Sequence, residues 1–309
     1  EAAVAGGITI IKALREGLAG NRIEWLAGII NGTTNFILTE MRDKGRDFSD
    51  VLAQAQALGY AEADPTFDVE GIDAAHKLVI LASLAFGMPL QMEAVYTEGI
   101  TKLTVEDVEY ANELGYRIKH LGIARQTELG VELRVHPTLI PKHRLLANVD
   151  GVNNAVLVAG DAVGPTLYYG AGAGAAPTAS AVVADLVDLA RDISAGQSNR
   201  IPALGVSGEA LRELPILPMA QVETPWYLRM EAQDKPGVMS RVTSIFSEQG
   251  ISIEGLIQKA PGAGQSNVPV VVLTNSAPQE KVDAAVQAIE TLDTINGAIT
   301  RIRVATLDG

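Results

Sequence analysis

Apolar residues recur at the three- to four-residue spacing of an amphipathic helix in several parts of the chain. In residues 8–20, Ile10, Leu14 and Leu18 share one side, and Gly20 ends the segment. Residues 72–86 and 178–191 are also predicted to be helices. Further helices are predicted over residues 36–44, 50–58 (after a Ser49 cap), from Thr104 onward, 238–249 and 278–290.

Strand-like runs alternate with these helices, which predicts an α/β or α+β domain around one mixed sheet. The runs cover residues 22–30, 117–124, 131–139, 154–160 and 166–169. From residue 226 the order is strand, helix, strand, strand, helix, strand, with a Gly/Pro loop between the two middle strands. This order predicts a ferredoxin-like βαββαβ unit. We therefore place domains at residues 1–191 and 226–309, joined by a proline- and glycine-rich linker, 192–225.

Composition narrows the class of protein. A chain of 309 residues with 47% hydrophobic and 20% charged residues is typical of a globular protein of two domains. The net charge of −13 disfavours nucleic acid and anionic membranes as partners. The sequence has no cysteine and no apolar run long enough to span a bilayer, and its start lacks the basic region of a signal peptide. We expect a cytoplasmic protein that is processed or is a fragment, because it begins with Glu1.

The stretch AQALGYAEADPTFDVEGIDAAHK, residues 55–77, contains five acidic side chains, one tyrosine and one lysine. Asp73 and Lys77 are four residues apart and share a helix face. Such a pair is either a solvated surface ion pair or part of a site. As a site, it suits a small substrate that has an amine and a reacting oxygen.

The spacing A-x3-G-Y-A-x2-D-P-x2-D-V-x-G-x-D-x3-K resembles the homoserine dehydrogenase motif without a gap. The resemblance implies reversible oxidation of L-homoserine to L-aspartate 4-semialdehyde, with NADP or NAD, in threonine, methionine and isoleucine biosynthesis. It implies that Glu62 and Asp73 hold the amino and hydroxyl ends of the substrate. Asp68 and the Tyr60 main chain would lie nearby. Lys77 is similar to the family lysine that contacts the reacting oxygen.

Two roles remain open for Lys77. Its charge can stabilise a developing alkoxide, or it can relay the proton if burial lowers its pKa. A second lysine of the family belongs to an N-terminal cofactor domain that we expect to be missing from this chain.

The opening segment, EAAVAGGI, is either a flexible terminus or a hinge that holds a cation. The resemblance implies a monovalent cation, sodium, bound by main-chain carbonyl oxygens, which suit a hard cation. Thr9 stands where the family usually has proline, which puts the local geometry in question. By the resemblance, the carbonyls would be those of Glu1, Val4, Gly6 and Ile8.

Two further motifs have both a structural and a functional interpretation. Residues 31–35, NGTTN, match the family and are either a helix cap or a contact to substrate or cofactor through Thr33 and Thr34. Residues 170–176, GAGAGAA, imitate a dinucleotide fingerprint, but no βαβ unit begins there. The resemblance implies a cofactor contact from Gly172 or Gly174.

The C-terminal unit resembles an ACT domain, through DKPGVM at 234–239 and QGISI at 249–253. It is either a packing module or an amino-acid effector site formed where two such units pair, with threonine as the implied effector. A proline–glycine turn that starts a helix leaves backbone N–H groups for a carboxylate. The effector residues are predicted to be Asp234, Gly237, Gly250 and Ile251.

We predict a homoserine dehydrogenase chain that forms a homodimer or homotetramer, with helix 178–191 leaving its apolar side uncovered. The resemblance covers nearly the whole chain. The alternative is a non-catalytic amino-acid sensor, which Thr9 and the absence of a fingerprint domain favour. The intact Asp73 and Lys77 favour the enzyme. The four histidines show no metal-ligand spacing and are assigned to structure or surface.

Overall fold

The computed structural model describes residues 1–196, 201–259 and 266–307. Part of the predicted linker, 197–200, and part of the predicted Gly/Pro loop, 260–265, lie outside the described residues. The strands are β1 Ile23–Ile29, β2 Tyr96–Thr97, β3 Tyr116–Thr127, β4 Gly130–Pro141, β5 Asn153–Gly160, β6 Gly164–Ala171, β7 Glu223–Thr224, β8 Trp226–Gln233, β9 Ile253–Gln258, β10 Asn267–Thr274, β11 Ala277–Pro278 and β12 Ile295–Val304. The helices are α1 Ile10–Lys12, α2 Gly32–Lys44, α3 Phe48–Ala57, α4 Thr66–Val69, α5 Ile72–Phe86, α6 Val105–Glu113, α7 Ala175–Ser194, α8 Val238–Glu248 and α9 Gln279–Glu290.

One mixed sheet runs through both halves of the described chain, in the order β6-β5-β1-β3-β4-β12-β8-β10-β9, with β2 beside β4. The two halves meet where β12 pairs in parallel with β4, at Arg303 opposite Thr138. Within the C-terminal half the order β12-β8-β10-β9 is that of a ferredoxin-like unit. The predicted fold class is confirmed, but a sheet that continues through both halves was not predicted.

Helices cover the sheet at three places. Helix α5 and the first helical turns cover β1, β4 and β5 through an apolar cluster that includes Leu26, Leu78 and Val156. Helices α8 and α9 cover one face of the C-terminal strands. The N-terminal helices α2, α3 and α6 share a cluster with residues of both halves, such as Tyr227 on β8 and Ile302 on β12. The C-terminal unit is therefore packed against the N-terminal one.

Most helix predictions are confirmed, with shifts at the ends. Helix α3 begins at Phe48 with Asp47 as N-cap, so the prediction that Ser49 caps it is wrong. Helix α2 begins at Gly32, four residues before its predicted start, because Asn31 is its N-cap. The first predicted helix is only a short α-turn continued by a π-helical turn, Ala13–Gly17. No helix in the described ranges is long and apolar enough to cross a membrane.

A buried carboxylate joins the two halves. Asp107 on α6 is fully buried and accepts from Arg229 Nε on β8 at 2.6 Å. The same carboxylate closes a capping box with Thr104, which accounts for the predicted start of this helix. Glu106 also accepts from Arg229, at 2.7 Å, but its side chain is 42% exposed. Asp107 therefore stabilises both its own helix and the contact between the halves.

Acid should destabilise the fold through Asp150. Although burial opposes ionisation of this carboxyl, hydrogen bonds from Arg42 and Lys119 lower its pKa from 3.8 to about 2. A carboxyl whose pKa is lowered by folding stabilises the fold at pH values above its pKa in the unfolded chain. This contribution is lost as the pH falls through the pKa of the folded state. We expect the free energy of unfolding to decrease between pH 3.8 and about 2. Asp150→Asn should flatten that decrease in urea titrations, whereas exposed Asp43→Asn should not.

Candidate functional site

The site begins where β1 ends. Asn31 follows this strand in an extended conformation and caps α2, with its side-chain Oδ1 accepting from Thr34 N at 2.9 Å. The Asn31 side chain is nearly fully buried. Its amide group therefore has a fixed place at the meeting point of β1 and α2.

Helix α5 supplies the two residues that the motif singled out. Gly71 starts it with φ +84°, and a Cβ there would lie 2.9 Å from His120 Cε1, so glycine is needed on both counts. Burial lowers the pKa of His120, whose Nε2 contacts the Glu98 main-chain oxygen at 2.9 Å. Asp73 lies in the first turn, where its carboxylate interacts favourably with the helix dipole. Lys77 lies one turn further along.

Lys77 and Asp73 form a partly buried ion pair. Lys77 Nζ donates to Asp73 Oδ2 at 2.6 Å and to the main-chain oxygen of Ile30 at 3.1 Å. Their side chains are 24% and 21% exposed, so each retains a path to solvent. An ammonium group has three N–H donors, and these contacts use two of them. The third is available for an oxygen atom of a bound molecule.

A second carboxylate joins this pair through Asn31. The Asn31 amide nitrogen donates to Asp68 Oδ1 at 2.7 Å and to Asp73 Oδ2 at 2.9 Å. The cluster thus contains two carboxylates and one ammonium, with an excess of negative charge beside Lys77. Such a cluster can bind an ammonium group at one end and a polar oxygen at the other. Asn31 was not predicted as a site residue, because the motif NGTTN favoured a helix cap and the contact of Asn31 with the acidic stretch is tertiary.

The other predicted substrate residues lie around this cluster. The Thr33 hydroxyl donates to the Tyr60 main-chain oxygen at 2.7 Å, which joins α2 to the acidic stretch. The Tyr60 ring packs edge-on against Phe36. Glu62 is exposed, and no hydrogen bond connects its carboxylate to Asp73 or Lys77 among the residues the structure describes. Asp68, Asp73 and Lys77 are brought together; the substrate roles of Glu62, Tyr60 and Thr33 remain predictions.

The opening segment packs against the glycine-rich loop. Gly7 N donates to the Ala171 oxygen at 2.9 Å, and a Cβ on Gly7 would lie 2.6 Å from that oxygen. The Glu1 carboxylate accepts from the backbone N–H groups of Ile11 and Lys12, so it satisfies donors in the first turn of α1. Thr9 has φ −78°, a value that proline also adopts.

The two loop glycines differ in their surroundings. A Cβ on Gly172 would lie 2.1 Å from Asn154 Cγ, so internal packing requires glycine there. Gly174 has φ +120° and precedes α7, with only Pro177 near its Cβ position. A ligand could therefore approach the backbone at Gly174. At Gly172, the Asn154 side chain already occupies the space beside the backbone.

Helix α7 has an uncovered apolar side, as predicted. Val183, Leu186 and Leu189 are each more than half exposed. Near the middle of α7, Asp185 pairs with the amino group of Glu1 at 2.9 Å. Lys12 pairs with Asp188 on the same helix. Charged contacts therefore fix α7 to the opening segment, while its apolar side chains stay exposed.

The predicted effector residues lie at the two ends of α8. Gly237, with φ +88°, precedes the helix, and Asp234 lies beside it. A cavity of about 340 Å³ at this end is lined by residues including Asp234, Gly237 and Gln258. Gly250 and Ile251 follow the far end, about 16 Å away for a helix of this length. One chain therefore does not bring the four residues into a single pocket.

The histidines are structural or exposed, in line with the prediction. His120 and His136 are buried in the sheet, and His76 and His143 are exposed. Across the described ranges, no group of three or more histidine, cysteine, aspartate or glutamate residues could hold a metal ion.

Comparisons with known proteins agree with the motifs. The homoserine dehydrogenase family model matches residues 10–187, and the ACT domain model matches residues 226–293. The homoserine dehydrogenase of Pseudomonas aeruginosa is 62% identical over 308 residues, which cover 100% of this chain and 71% of that protein. That of Neisseria gonorrhoeae is 57% identical over 307 residues, covering 99% of this chain and 70% of that protein.

Solved structures show the same fold. The crystal structure of a homoserine dehydrogenase from Thiobacillus denitrificans superimposes with a TM-score of 0.95 at 62% identity, over 100% of this chain and 70% of that one. A hyperthermophilic archaeal homoserine dehydrogenase in complex with NADPH gives a TM-score of 0.52 at 30% identity. That match covers 60% of this chain and 53% of the archaeal one.

Proposed function

Because the chain belongs to the homoserine dehydrogenase family, an oxidoreductase family, we propose that the cluster of Asn31, Asp68, Asp73 and Lys77 is its L-homoserine site. The reaction is the reversible oxidation of the terminal alcohol to L-aspartate 4-semialdehyde. The observation that carries this proposal is the Lys77–Asp73 contact of 2.6 Å in a cluster with a second carboxylate.

The charges of the cluster match the two ends of the substrate. The carboxylates of Asp68 and Asp73 exceed the one ammonium of Lys77, and this excess attracts the substrate's ammonium group. The free N–H of Lys77 then donates to the hydroxyl oxygen, where negative charge develops as the proton leaves. Asp73 holds Lys77 in place, which keeps this donor directed at the reacting oxygen. The exposed Glu62 would close over the amino end.

The implied cofactor is NADP or NAD, which accepts the hydride from the alcohol carbon. Gly174 and the N-terminal end of α7 are suited to contact the cofactor. Their backbone is accessible, and the free N–H groups at a helix N-terminus can bind an anion such as a phosphate. Gly172 would contribute only its main chain. The NADPH in the archaeal homoserine dehydrogenase supports this class of cofactor.

A sodium ion and an assembly of two or four chains are further parts of the proposal. The main-chain oxygens of Glu1, Val4, Gly6 and Ile8 would bind the cation, which would stiffen the segment beside the glycine-rich loop. The exposed apolar side of α7 supports a partner surface there, either another chain or a cofactor-binding region. We place the enzyme in the cytoplasm, in keeping with the absence of cysteine.

We also propose that threonine regulates the enzyme through the ACT domain, and contacts between the two halves of the chain support this. Arg303 on β12 donates to Glu98 Oε2 at 2.8 Å and to Gln279 Oε1 at 2.7 Å. Glu98 lies in the segment whose Ile100 N donates to the Val69 oxygen at 2.9 Å, next to the start of α5. A change at the ACT domain can thus reach the helix that carries Lys77.

This path predicts that Glu98→Gln weakens threonine inhibition several-fold while threonine still binds, because the charged contact with Arg303 is lost. Inhibition of homoserine turnover and calorimetric titration with L-threonine measure the two effects. The control is Glu93→Gln, an exposed glutamate of the same region. Threonine that binds the unaltered protein without changing turnover would contradict the proposed regulation.

The test of the proposed reaction is NADP or NAD reduction by the protein expressed from its complete gene. L-homoserine should be oxidised, and 4-hydroxybutyrate, which lacks the amine, should react with much lower kcat/KM. L-2-aminobutyrate lacks the alcohol and should only compete. Equal rates with and without the amine would contradict the site assignment. Binding of homoserine with no turnover under any condition would favour the sensor.

A further inference from the structure

Asn31 makes more contacts than a helix cap requires. Its Oδ1 accepts from Thr34 N at 2.9 Å, and this bond fixes which way the amide faces. The amide nitrogen must therefore face the two carboxylates, donating to Asp68 at 2.7 Å and Asp73 at 2.9 Å. A flipped amide would place its oxygen against two carboxylates and leave the backbone donor of Thr34 without its partner.

We infer that Asn31 is a positioning residue for the reaction, which holds Asp68 and Asp73 in one arrangement around Lys77. This inference rests on the proposed function. Two carboxylates at hydrogen-bond distance from one nitrogen repel each other, and the amide NH2 group, which has one N–H for each of them, offsets that repulsion. Lys77 does not form this bridge, because its ammonium donates to Asp73 and the Ile30 oxygen and makes no hydrogen bond to Asp68 in the described part of the chain.

The two hydrogen bonds from the Asn31 amide to Asp68 and Asp73 fix where the substrate's two ends are bound. Asp73 Oδ2 accepts from both Asn31 and Lys77, so the position of the Lys77 ammonium depends on the Asn31 amide through one shared oxygen. Asp68 lies on helix α4, which has only 4 residues, whereas α5 has 15. Loss of the amide would let Asp68 move away from Asp73.

Two substitutions separate this role from capping. Asn31→Asp keeps an acceptor for Thr34 N but replaces the donor with a third carboxylate. Asn31→Ser also caps well, but its side chain is too short to reach both carboxylates. We expect both variants to unfold within a few degrees of the unaltered protein. Both should lose about 100-fold in kcat/KM for L-homoserine, since displaced catalytic groups cost this much.

The pH profile distinguishes the two variants. The charged groups around residue 31 are Asp68, Asp73 and Lys77. In Asn31→Asp, the neighbouring carboxylates raise the pKa of the introduced carboxyl, and its protonated form can donate where the amide did. Its activity relative to the unaltered protein should therefore rise as the pH falls from about 9 to about 6. In Asn31→Ser no carboxyl is added, so the relative activity should stay flat.

The experiment measures kcat and KM over this pH range, with unfolding temperatures, on protein expressed from the complete gene. The inference is supported if the relative activity of Asn31→Asp rises as the pH falls and that of Asn31→Ser does not. Unaltered kcat/KM in Asn31→Asp overturns it, and so does a loss that follows the unfolding temperature with an unshifted pH profile. No homoserine turnover by the unaltered protein overturns the proposed function and this inference with it.

Discussion

Lys77→Met is expected to lower kcat for L-homoserine about 1,000-fold, because it removes the charge and the proton donor or acceptor at the reacting oxygen. Methionine keeps the length of the apolar stem, so α5 should remain packed. KM should change much less than kcat, since Asp68 and Asp73 still attract the substrate's ammonium group. Initial rates of NADP or NAD reduction measure the loss.

Two controls make this result specific. Lys102→Met removes the charge of an exposed lysine outside the cluster and should leave turnover unchanged. Lys77→Arg keeps the charge but changes the shape of the donor, so it should retain part of the activity. A Lys77→Met variant that turns over homoserine within threefold of the unaltered protein would contradict the role of Lys77.

Asp107→Ala is expected to lower the free energy of unfolding by about 3 kcal/mol, because it removes a fully buried carboxylate and leaves the mostly buried Arg229 without its closest partner. Arg229 Nε donates to Asp107 at 2.6 Å, and Tyr227 OH is 3.3 Å from the same oxygen. The substitution also removes the capping box of α6. Urea titration followed by fluorescence and circular dichroism measures the change.

Glu106→Gln is the matched control for Asp107→Ala. Glu106 contacts the same arginine but is 42% exposed, so its loss should cost less than about 1 kcal/mol. Equal effects of the two substitutions would show that burial does not decide the strength of these contacts. An Asp107→Ala protein of unchanged stability would contradict the proposal that this carboxylate joins the halves.

Local patterns predicted the elements of the fold but not how they are joined. The apolar run after Lys77 predicted α5, and the turn before Val238 predicted α8. Both signals lie within a few residues of the element. The pairing of β12 with β4 joins residues more than 160 positions apart, and no local pattern records it. The domain boundaries remain predictions.

The same limit applies to the site. Asp73 and Lys77 were predictable, because i,i+4 spacing places both on one helix face. Asn31 was not assigned to the cluster, since its contacts with Asp68 and Asp73 span about 40 residues. The exposed side of α7 was predictable from its apolar spacing and the family resemblance. The roles of Thr33, Glu62 and the effector residues depend on bound molecules and remain predictions.

A crystal structure of the protein with L-homoserine bound is the most direct test of the site. We predict that the hydroxyl oxygen lies within hydrogen-bond distance of Lys77 Nζ and that the ammonium group contacts Asp68 or Asp73. The Asn31 amide should remain between the two carboxylates. Homoserine bound at another place, or with its hydroxyl away from Lys77, would contradict the assignment of this cluster as the homoserine site.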